Sequence, residues 1–163
     1  MVFDTWVQNH GPGLLNYLKS MMSQTADAED IWQETFMRVH QSMDRYQDQG
    51  QEKAWIYRIA KNRLIDHARS QTKKPFIVPI EDKHAIEKDE PLDQLISGEK
   101  QHLFESAIQA LPEAQKEVYL MRQRSDLTFK EIAEVLDLPM QKVVGRMNLA
   151  MKKLKDVLGR IES

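Results

Sequence analysis

Residues 128–155 read TFKEIAEVLDLPMQKVVGRMNLAMKKLK, and this stretch predicts two short helices joined by a tight turn. Thr128 and Glu131 have the spacing of a capping box, which starts a helix. Asp137 tolerates the left-handed backbone conformation that such turns use, and Pro139 suits the first turn of the next helix. The apolar positions that would pack the two helices together are Ile132, Ala133, Leu136, Val143, Met147, Ala150 and Leu154. The pattern is typical of a DNA-binding helix–turn–helix, although two packed helices that never touch DNA would show the same spacing.

The outward face of the second helix in this motif is poor in positive charge. Its side chains are those of Gln141, Lys142, Gly145, Asn148, Leu149 and Lys152, and only two of the six are basic. Proteins that bind DNA gain much of their affinity from lysine and arginine contacts to phosphate. We therefore expect a DNA-binding helix with fewer contacts than usual in the groove.

A second helical pattern, over residues 53–70, separates apolar side chains from aromatic and basic ones. At about 100° per residue, one side is apolar and the other carries Trp55, Arg58, Lys61, Asn62, Asp66 and Arg69. An indole can stack on unpaired bases, cations can hold phosphates, and an amide can recognise a base edge. This face predicts a site for single-stranded nucleic acid. The alternative is that Trp55 packs against a neighbouring helix and the charges are merely solvated.

Residues 28–43 predict an amphipathic helix with an acidic stripe. Thr25 or Asp27 could cap the start of the helix. One continuous face is formed at helical spacing by Ala28, Ile31, Trp32, Thr35, Phe36, Val39 and Met43. The opposite face carries Asp30, Gln33, Glu34, Met37 and Gln41. Such a stripe is either the solvated side of the helix or an interaction surface.

The rest of the chain predicts further helices and no strand, so we expect an all-α fold. Gly11-Pro12-Gly13 should interrupt the first helical pattern and leave a short helix near residues 14–22. Three prolines and an excess of acidic residues between positions 75 and 91 indicate a flexible linker. The remaining segments are a polar loop at 46–52 and helices near 92–110 and 112–124.

Composition excludes several classes of function. The 163 residues include no cysteine, which removes disulfides, thiolate metal sites and cysteine nucleophiles and suits a reducing cytoplasm. No apolar run has the roughly 20 residues that span a bilayer, so we expect a cytoplasmic protein that does not insert into a membrane. No nucleophile–base motif is present, and the histidines lack metal-ligand spacing: His10, His40, His67, His84 and His102. We therefore expect no enzyme activity, no metal and no cofactor.

Charge is distributed in blocks along the chain, although the net charge is only −2. Residues 51–74 carry seven basic and two acidic groups, whereas residues 1–48 carry three basic and seven acidic ones. Uneven solvated faces could produce this pattern. Separate surfaces for separate partners would produce it too.

Three stretches resemble the extracytoplasmic-function class of bacterial sigma factors. Residues 27–39, DAEDIWQETFMRV, resemble sigma region 2, and residues 55–69, WIYRIAKNRLIDHAR, resemble the helix that melts and reads the minus-ten element. Residues 111–154 resemble sigma region 4. The resemblance covers nearly the whole chain. It implies a region 2 domain at 1–74, a flexible linker at 75–96 and a region 4 helix–turn–helix domain at 97–163.

The resemblance also implies partners and site residues. Core RNA polymerase would be bound through the beta-prime clamp helices and the beta flap, and an anti-sigma factor would hold the protein inactive. Asp30, Gln33 and Glu34 match the motif that docks on the clamp helices. The minus-ten positions are Trp55, Arg58, Lys61, Asn62, Asp66 and Arg69, helped by the loop at 46–52. The minus-thirty-five positions are Gln141, Lys142, Arg146, Asn148 and Lys152.

The recognition helix departs from the family pattern. Gln141-Lys-Val-Val-Gly-Arg146 replaces the usual Gly-Thr-Val-Lys/Arg-Ser-Arg, and Leu149 and Met151 stand where basic side chains are common. Two alternatives follow from this weakness. The chain could be a sigma-like decoy that binds an anti-sigma factor without reading promoters, or a repressor that uses only its helix–turn–helix.

Overall fold

The computed structural model describes residues 2–46, 50–72 and 100–162. These residues form seven α-helices and one short 3₁₀ turn, and no strand occurs among them, which confirms the all-α prediction for the described parts. The predicted linker at 75–96 lies outside the described residues. The helices are α1 (Val2–Met21), α2 (Thr25–Ser42), α3 (Glu52–Thr72), α4 (Lys100–Gln109), α5 (Glu113–Gln123), α6 (Phe129–Leu136) and α7 (Met140–Glu162), and the 3₁₀ turn is Met43–Arg45.

Helices α1, α2 and α3 form the first bundle, with α2 packed against both of the others. The predicted break at Gly11-Pro12-Gly13 is wrong, because α1 runs continuously through Pro12. Trp32 of α2 packs against this part of α1. The indole nitrogen of Trp32 donates to the Gly11 carbonyl at 2.9 Å, and a Cβ at Gly11 would lie 3.1 Å from the Trp32 ring. Glycine at position 11 therefore lets α2 approach the backbone of α1 closely.

The apolar face predicted for α2 is confirmed, whereas its predicted capping is wrong. Of its predicted members, Trp32 and Met43 are half-buried, and the other five are buried: Ala28, Ile31, Thr35, Phe36 and Val39. The helix begins after Gln24, and no side chain caps it, because Thr25 and Asp27 already lie in its first turn.

Helices α4 to α7 form the second bundle, and the predicted helix–turn–helix is present in α6 and α7. Thr128 accepts a hydrogen bond from the Glu131 backbone, and the Glu131 side chain accepts one from the Thr128 backbone, which completes the capping box. Asp137 ends α6 in the left-handed conformation at φ 54°. Ile132, Val143, Met147, Ala150 and Leu154 are fully buried between these helices and α4 and α5.

The two bundles pack on each other. Helix α3 of the first bundle lies against α6 of the second, and α1 lies against α5. Tyr17 and Tyr57 from the first bundle and Leu127 from the second are buried within one continuous apolar core. This packing brings the predicted nucleic-acid face of α3 next to the helix–turn–helix.

Candidate nucleic-acid interface

A cleft of about 1080 Å³ lies between α3 and the helix–turn–helix. Trp55, Arg58 and Asn62 of α3 line it, because their spacing of three and four residues places them on one side of the helix. The structure thus brings together three of the six residues that the sequence assigned to the minus-ten strand. Asn62 is exposed, and the Arg58 side chain is 52% exposed. Both polar groups can reach a ligand in the cleft.

Trp55 belongs to a small aromatic cluster at one end of this cleft. Its ring stacks on Tyr46, with centroids 4.7 Å apart and planes 24° from parallel, and its edge meets Trp6 at 6.1 Å. Tyr46 is held in turn by the Gln51 backbone amide, which donates to its hydroxyl at 3.0 Å. The alternative that Trp55 packs against its neighbours is therefore partly true. The indole nevertheless stays half-exposed and lines the cleft, so it remains available to a base.

Lys61 does not share the exposure of the other minus-ten residues. Its side chain is 6% exposed, and its ammonium forms an ion pair with the Glu117 carboxylate of α5, which is 2% exposed. Burial raises the pKa of Glu117, and the positive charges of Lys61 and Arg146 oppose that rise. The expectation that Lys61 faces outward is not met in this conformation, because α5 covers it.

The other end of α3 faces the acidic stripe of α2. The Arg63 guanidinium bonds to Glu34 and lies 3.5 Å from Asp66. Two carboxylates, one from α2 and one from α3 itself, thus surround the Arg63 guanidinium. Asp66 and Arg69 are exposed on the same end of α3.

The acidic stripe itself is open to solvent. Asp30 and Gln33 are exposed, and the Glu34 side chain is 47% exposed despite its bond to Arg63. Gln33 also borders an apolar groove formed with Phe3, Phe36 and Met37, and Met37 is 60% exposed. The stripe therefore combines acidic groups with an adjoining apolar surface that a partner could cover.

The recognition helix α7 presents only part of its predicted outward face. Gln141 and Lys152 are exposed, and Lys142 and Asn148 are half-buried. Gly145 is buried, contrary to the expectation, and Arg146 is only 4% exposed. Met151, at 4% exposure, packs in the core, so a basic side chain at that position would have to be buried here.

Three cations at the cleft were not among the residues predicted to bind nucleic acid. Arg38, Arg45 and Lys130 line the same cleft as Trp55, although they come from α2, the 3₁₀ turn and α6. Arg38 and Arg45 are seven residues apart, a spacing that would place them on one face of a continuous α-helix, but α2 ends at Ser42 and Arg45 lies in the 3₁₀ turn. The role of Glu117 left no signal in the sequence, since its partners come from other helices.

The sequence predicted neither a metal site nor a membrane-spanning helix. Among residues 2–46, 50–72 and 100–162, no group of histidines and carboxylates could hold a metal ion. No helix in this part of the chain is long and apolar enough to cross a membrane. His84 lies outside the described residues.

Family models match the two bundles separately. The sigma-70 region 2 model matches residues 6–74, and the sigma-70 region 4 model matches residues 101–154. The ECF RNA polymerase sigma-E factor of Haemophilus influenzae is 27% identical over 161 residues, which cover 91% of this chain and 82% of that protein. The sigma-E factor of Escherichia coli K12 is 26% identical over 142 residues, which cover 80% and 73%.

Two solved structures share the fold. One is the sigma factor RpoE in complex with the anti-sigma factor NepR from Bartonella quintana, with a TM-score of 0.73 and 21% identity. That match covers 96% of each chain. The other is CnrH in complex with the cytosolic domain of CnrY, with a TM-score of 0.69, 23% identity and coverage of 97% and 88%. At these identities the likeness shows a common architecture.

Proposed function

The chain belongs to the extracytoplasmic-function class of the sigma-70 family, and on that premise we propose how its surfaces divide the work of a sigma factor. The first bundle binds core RNA polymerase and opens the minus-ten element. The second bundle places the complex on the upstream promoter. One observation carries this assignment: Trp55, Arg58 and Asn62 lie on one side of α3 and line a single cleft together with Arg38 and Arg45 of the same bundle.

We assign the polymerase-binding surface to Asp30, Gln33 and Glu34. These side chains lie along the exposed side of α2, next to the apolar groove that contains Met37. The family docks the corresponding motif on the beta-prime clamp helices. A mixed acidic and apolar surface suits such a contact, because charge steers the encounter and apolar burial holds the complex.

We assign the capture of the opened strand to the cleft along α3. The indole of Trp55 lines this cleft beside Tyr46, and base–aromatic stacking is worth about 1–3 kcal/mol per base. Arg58 and Asn62 lie next along the helix, where a cation meets phosphate and an amide meets a base edge. Asp66 and Arg69 extend the same helix toward its end.

We assign the upstream contact to α7, mainly through Gln141, Lys142, Asn148 and Lys152. Lysine at two of these positions suits phosphate contacts, and amides at the other two suit adenine in the major groove. Arg146 is buried beside Glu117, so we propose that it supports the fold of the helix–turn–helix more than it touches DNA. The domain limits 1–74 and 97–163 remain part of this proposal.

The sigma-70 family is not a class of enzymes, and we propose that this chain likewise performs no chemistry, since the polymerase supplies the catalysis. We place its action in the cytoplasm, where polymerase and promoters are found. One of the solved structures that share the fold is a complex with the anti-sigma factor NepR, and we propose a partner of that kind for this chain.

Transcription in vitro with purified core polymerase tests the assignment. The full chain should give a transcript from a promoter selected out of a random library, whereas core polymerase alone should give none. A decoy would bind an anti-sigma factor and give no transcript. A repressor would bind duplex DNA without polymerase and also give none, so either result would overturn the proposal.

A further inference from the structure

A single buried carboxylate joins the two bundles. Glu117 of α5 is 1% exposed and pairs with Lys61, which reaches it from α3 of the other bundle. Burial raises the pKa of Glu117, and Arg146 of α7 is a second positive charge, after Lys61, that opposes this rise. Each of the two helices assigned to DNA thus contributes one cation to the same acid.

Further polar contacts fix the same closed arrangement. The Ser125 hydroxyl donates to the Gly13 carbonyl at 3.3 Å, and the Lys53 ammonium donates to the Asp126 carbonyl at 3.2 Å. A Cβ at Gly13 would lie 3.2 Å from the Tyr57 hydroxyl and 4.0 Å from the Ser125 Cα. The turn between α5 and α6 is therefore seated directly on α1 and α3.

The closed arrangement competes with promoter binding. A carboxylate near Lys61 takes the position that a DNA phosphate would need, and α6 covers part of the α3 face on which the opened strand would lie. Arg58 also faces a carboxylate of the second bundle, although the contact is looser: its guanidinium lies 3.9 Å from Asp137 at the end of α6. A chain closed in this way cannot offer Lys61 to DNA.

We propose that Glu117 is an internal latch, which pairs with Lys61 to hold the free chain closed and keeps Lys61 from promoter DNA until core polymerase separates the two bundles. The inhibitory consequence rests on the function proposed above, because only a promoter-binding protein is inhibited by closure. The closure itself is a property of the free chain and can be measured without polymerase.

The strength of the latch suits a reversible switch. Removing a carboxylate and an ammonium from water costs much of what their attraction returns, so a buried pair sets the arrangement of its partners more than it adds stability. Replacing only one partner of the pair has a larger effect, because the other partner is left as an uncompensated charge in the interface. A change at Lys61 should therefore open the bundles while each bundle stays folded.

The absence of cysteine from the chain makes the distance between bundles directly measurable. Cysteines introduced as Gln8→Cys on α1 and Lys153→Cys on α7 would carry nitroxide labels, since both positions are exposed. Pulsed electron paramagnetic resonance on the full free chain should give one short distance population. Lys61→Glu, which faces Glu117 with a second carboxylate, should shift that population to longer and broader distances, whereas Lys61→Arg should keep it short.

Arg69→Glu is the matched control, because it makes the same change of charge on the same helix at an exposed position. It should leave the distance as in the unchanged chain. Circular dichroism should show that all variants keep their helical content. Adding core polymerase to the labelled unchanged chain should produce the long-distance population.

Three results would overturn the latch: long distances in the unchanged free chain, a short distance in Lys61→Glu, or equal opening by Arg69→Glu. Failure of the unchanged chain to bind core polymerase would instead overturn the proposed function. In that case the free-chain distances would still decide whether Glu117 holds the bundles together.

Discussion

Arg63 donates a hydrogen bond from its Nε to the Glu34 carboxylate at 2.7 Å, and its Nη1 lies 3.5 Å from Asp66. One guanidinium therefore connects a residue assigned to polymerase docking with a residue assigned to the minus-ten strand. The Arg63 side chain is 29% exposed, so water screens the pairs only in part. Within the proposed function, Arg63 fixes α2 against α3 and couples the orientation of the two surfaces.

Charge reversal on the acidic stripe should separate polymerase docking from folding. Asp30→Lys should weaken core binding by about 1–3 kcal/mol, which is typical of a lost interfacial charge contact. The melting temperature of the Asp30→Lys variant should hardly change, because Asp30 is exposed. Glu34→Lys should weaken binding similarly and also lower stability by up to about 1 kcal/mol, since it places a cation against Arg63.

Binding of the labelled protein to core polymerase and thermal melting measure these two effects separately. Glu29→Lys is a suitable control, as it reverses an exposed charge on the same helix beside the stripe. If Asp30→Lys binds core polymerase like the unchanged chain, the docking surface is wrongly assigned.

Removal of the indole at position 55 should block strand opening. Trp55→Ala should lose a stacking surface worth about 1–3 kcal/mol per base, while core binding survives. The variant also loses the stacked pair with Tyr46, which contributes about 0.5–1.5 kcal/mol beyond the buried area, so a modest fall in melting temperature is expected. Permanganate reactivity of promoter thymines reports strand opening directly.

Trp55→Phe distinguishes the two roles of that ring. It keeps an aromatic face for both Tyr46 and a base, and it should recover most of the thymine reactivity. Full reactivity with folded Trp55→Ala would mean that the indole serves only the aromatic cluster of Trp6 and Tyr46.

The predictable part of the structure is the part encoded by local spacing. The capping box at Thr128 and Glu131 and the left-handed Asp137 depend on neighbouring residues, and both could be inferred from the sequence. The buried face of α2 also follows from periodicity alone. These signals need no knowledge of which helices meet.

The unpredictable part depends on contacts between distant segments. Lys61 and Glu117 are 56 positions apart, and neither residue carries a mark of its partner. Periodicity places Lys61 on the polar side of α3, where Arg58 and Asn62 are indeed exposed, but Glu117 of α5 covers Lys61 itself. The bond between Trp32 and Gly11 is of the same kind, since it joins two helices across 21 positions.

His10 should make stability fall on mild acidification. Burial, followed by the charge of Lys53, lowers the pKa of His10 below its usual 6.5, and Glu52 and Glu131 only partly oppose the shift. The unfolded chain therefore binds a proton first as the pH falls. The contribution to stability is complete above about pH 6.5 and is lost as the pH falls toward the lowered pKa.

Melting temperatures at about pH 8 and about pH 5.5 test whether the protein is less stable at the lower pH, as expected. His10→Gln should reduce the difference between the two temperatures, whereas His102→Gln, at an exposed position, should leave it unchanged. A larger difference in His10→Gln than in the unchanged chain would show that the sign is wrong.

Promoter choice should depend mainly on the minus-ten element. Val144 and Leu149 occupy positions on α7 where relatives commonly place side chains that reach bases or phosphates, and Gly145 is buried. A missing bidentate base contact forfeits about 1–3 kcal/mol of discrimination. Lys142 and Lys152 remain for the phosphate backbone, so α7 should position the complex more than it specifies a sequence.

A randomised promoter library measures this balance. Scrambling the minus-thirty-five bases should lower transcription only a few-fold, while scrambling the minus-ten bases should abolish it. Lys152→Ala should weaken binding similarly on all upstream sequences and reduce the salt slope by about one, because it removes one phosphate contact. Gln141 and Asn148 offer the competing outcome, since their amides can pair with adenine in the major groove. A sharp minus-thirty-five consensus that Gln141→Ala or Asn148→Ala relaxes would show that α7 specifies the promoter after all.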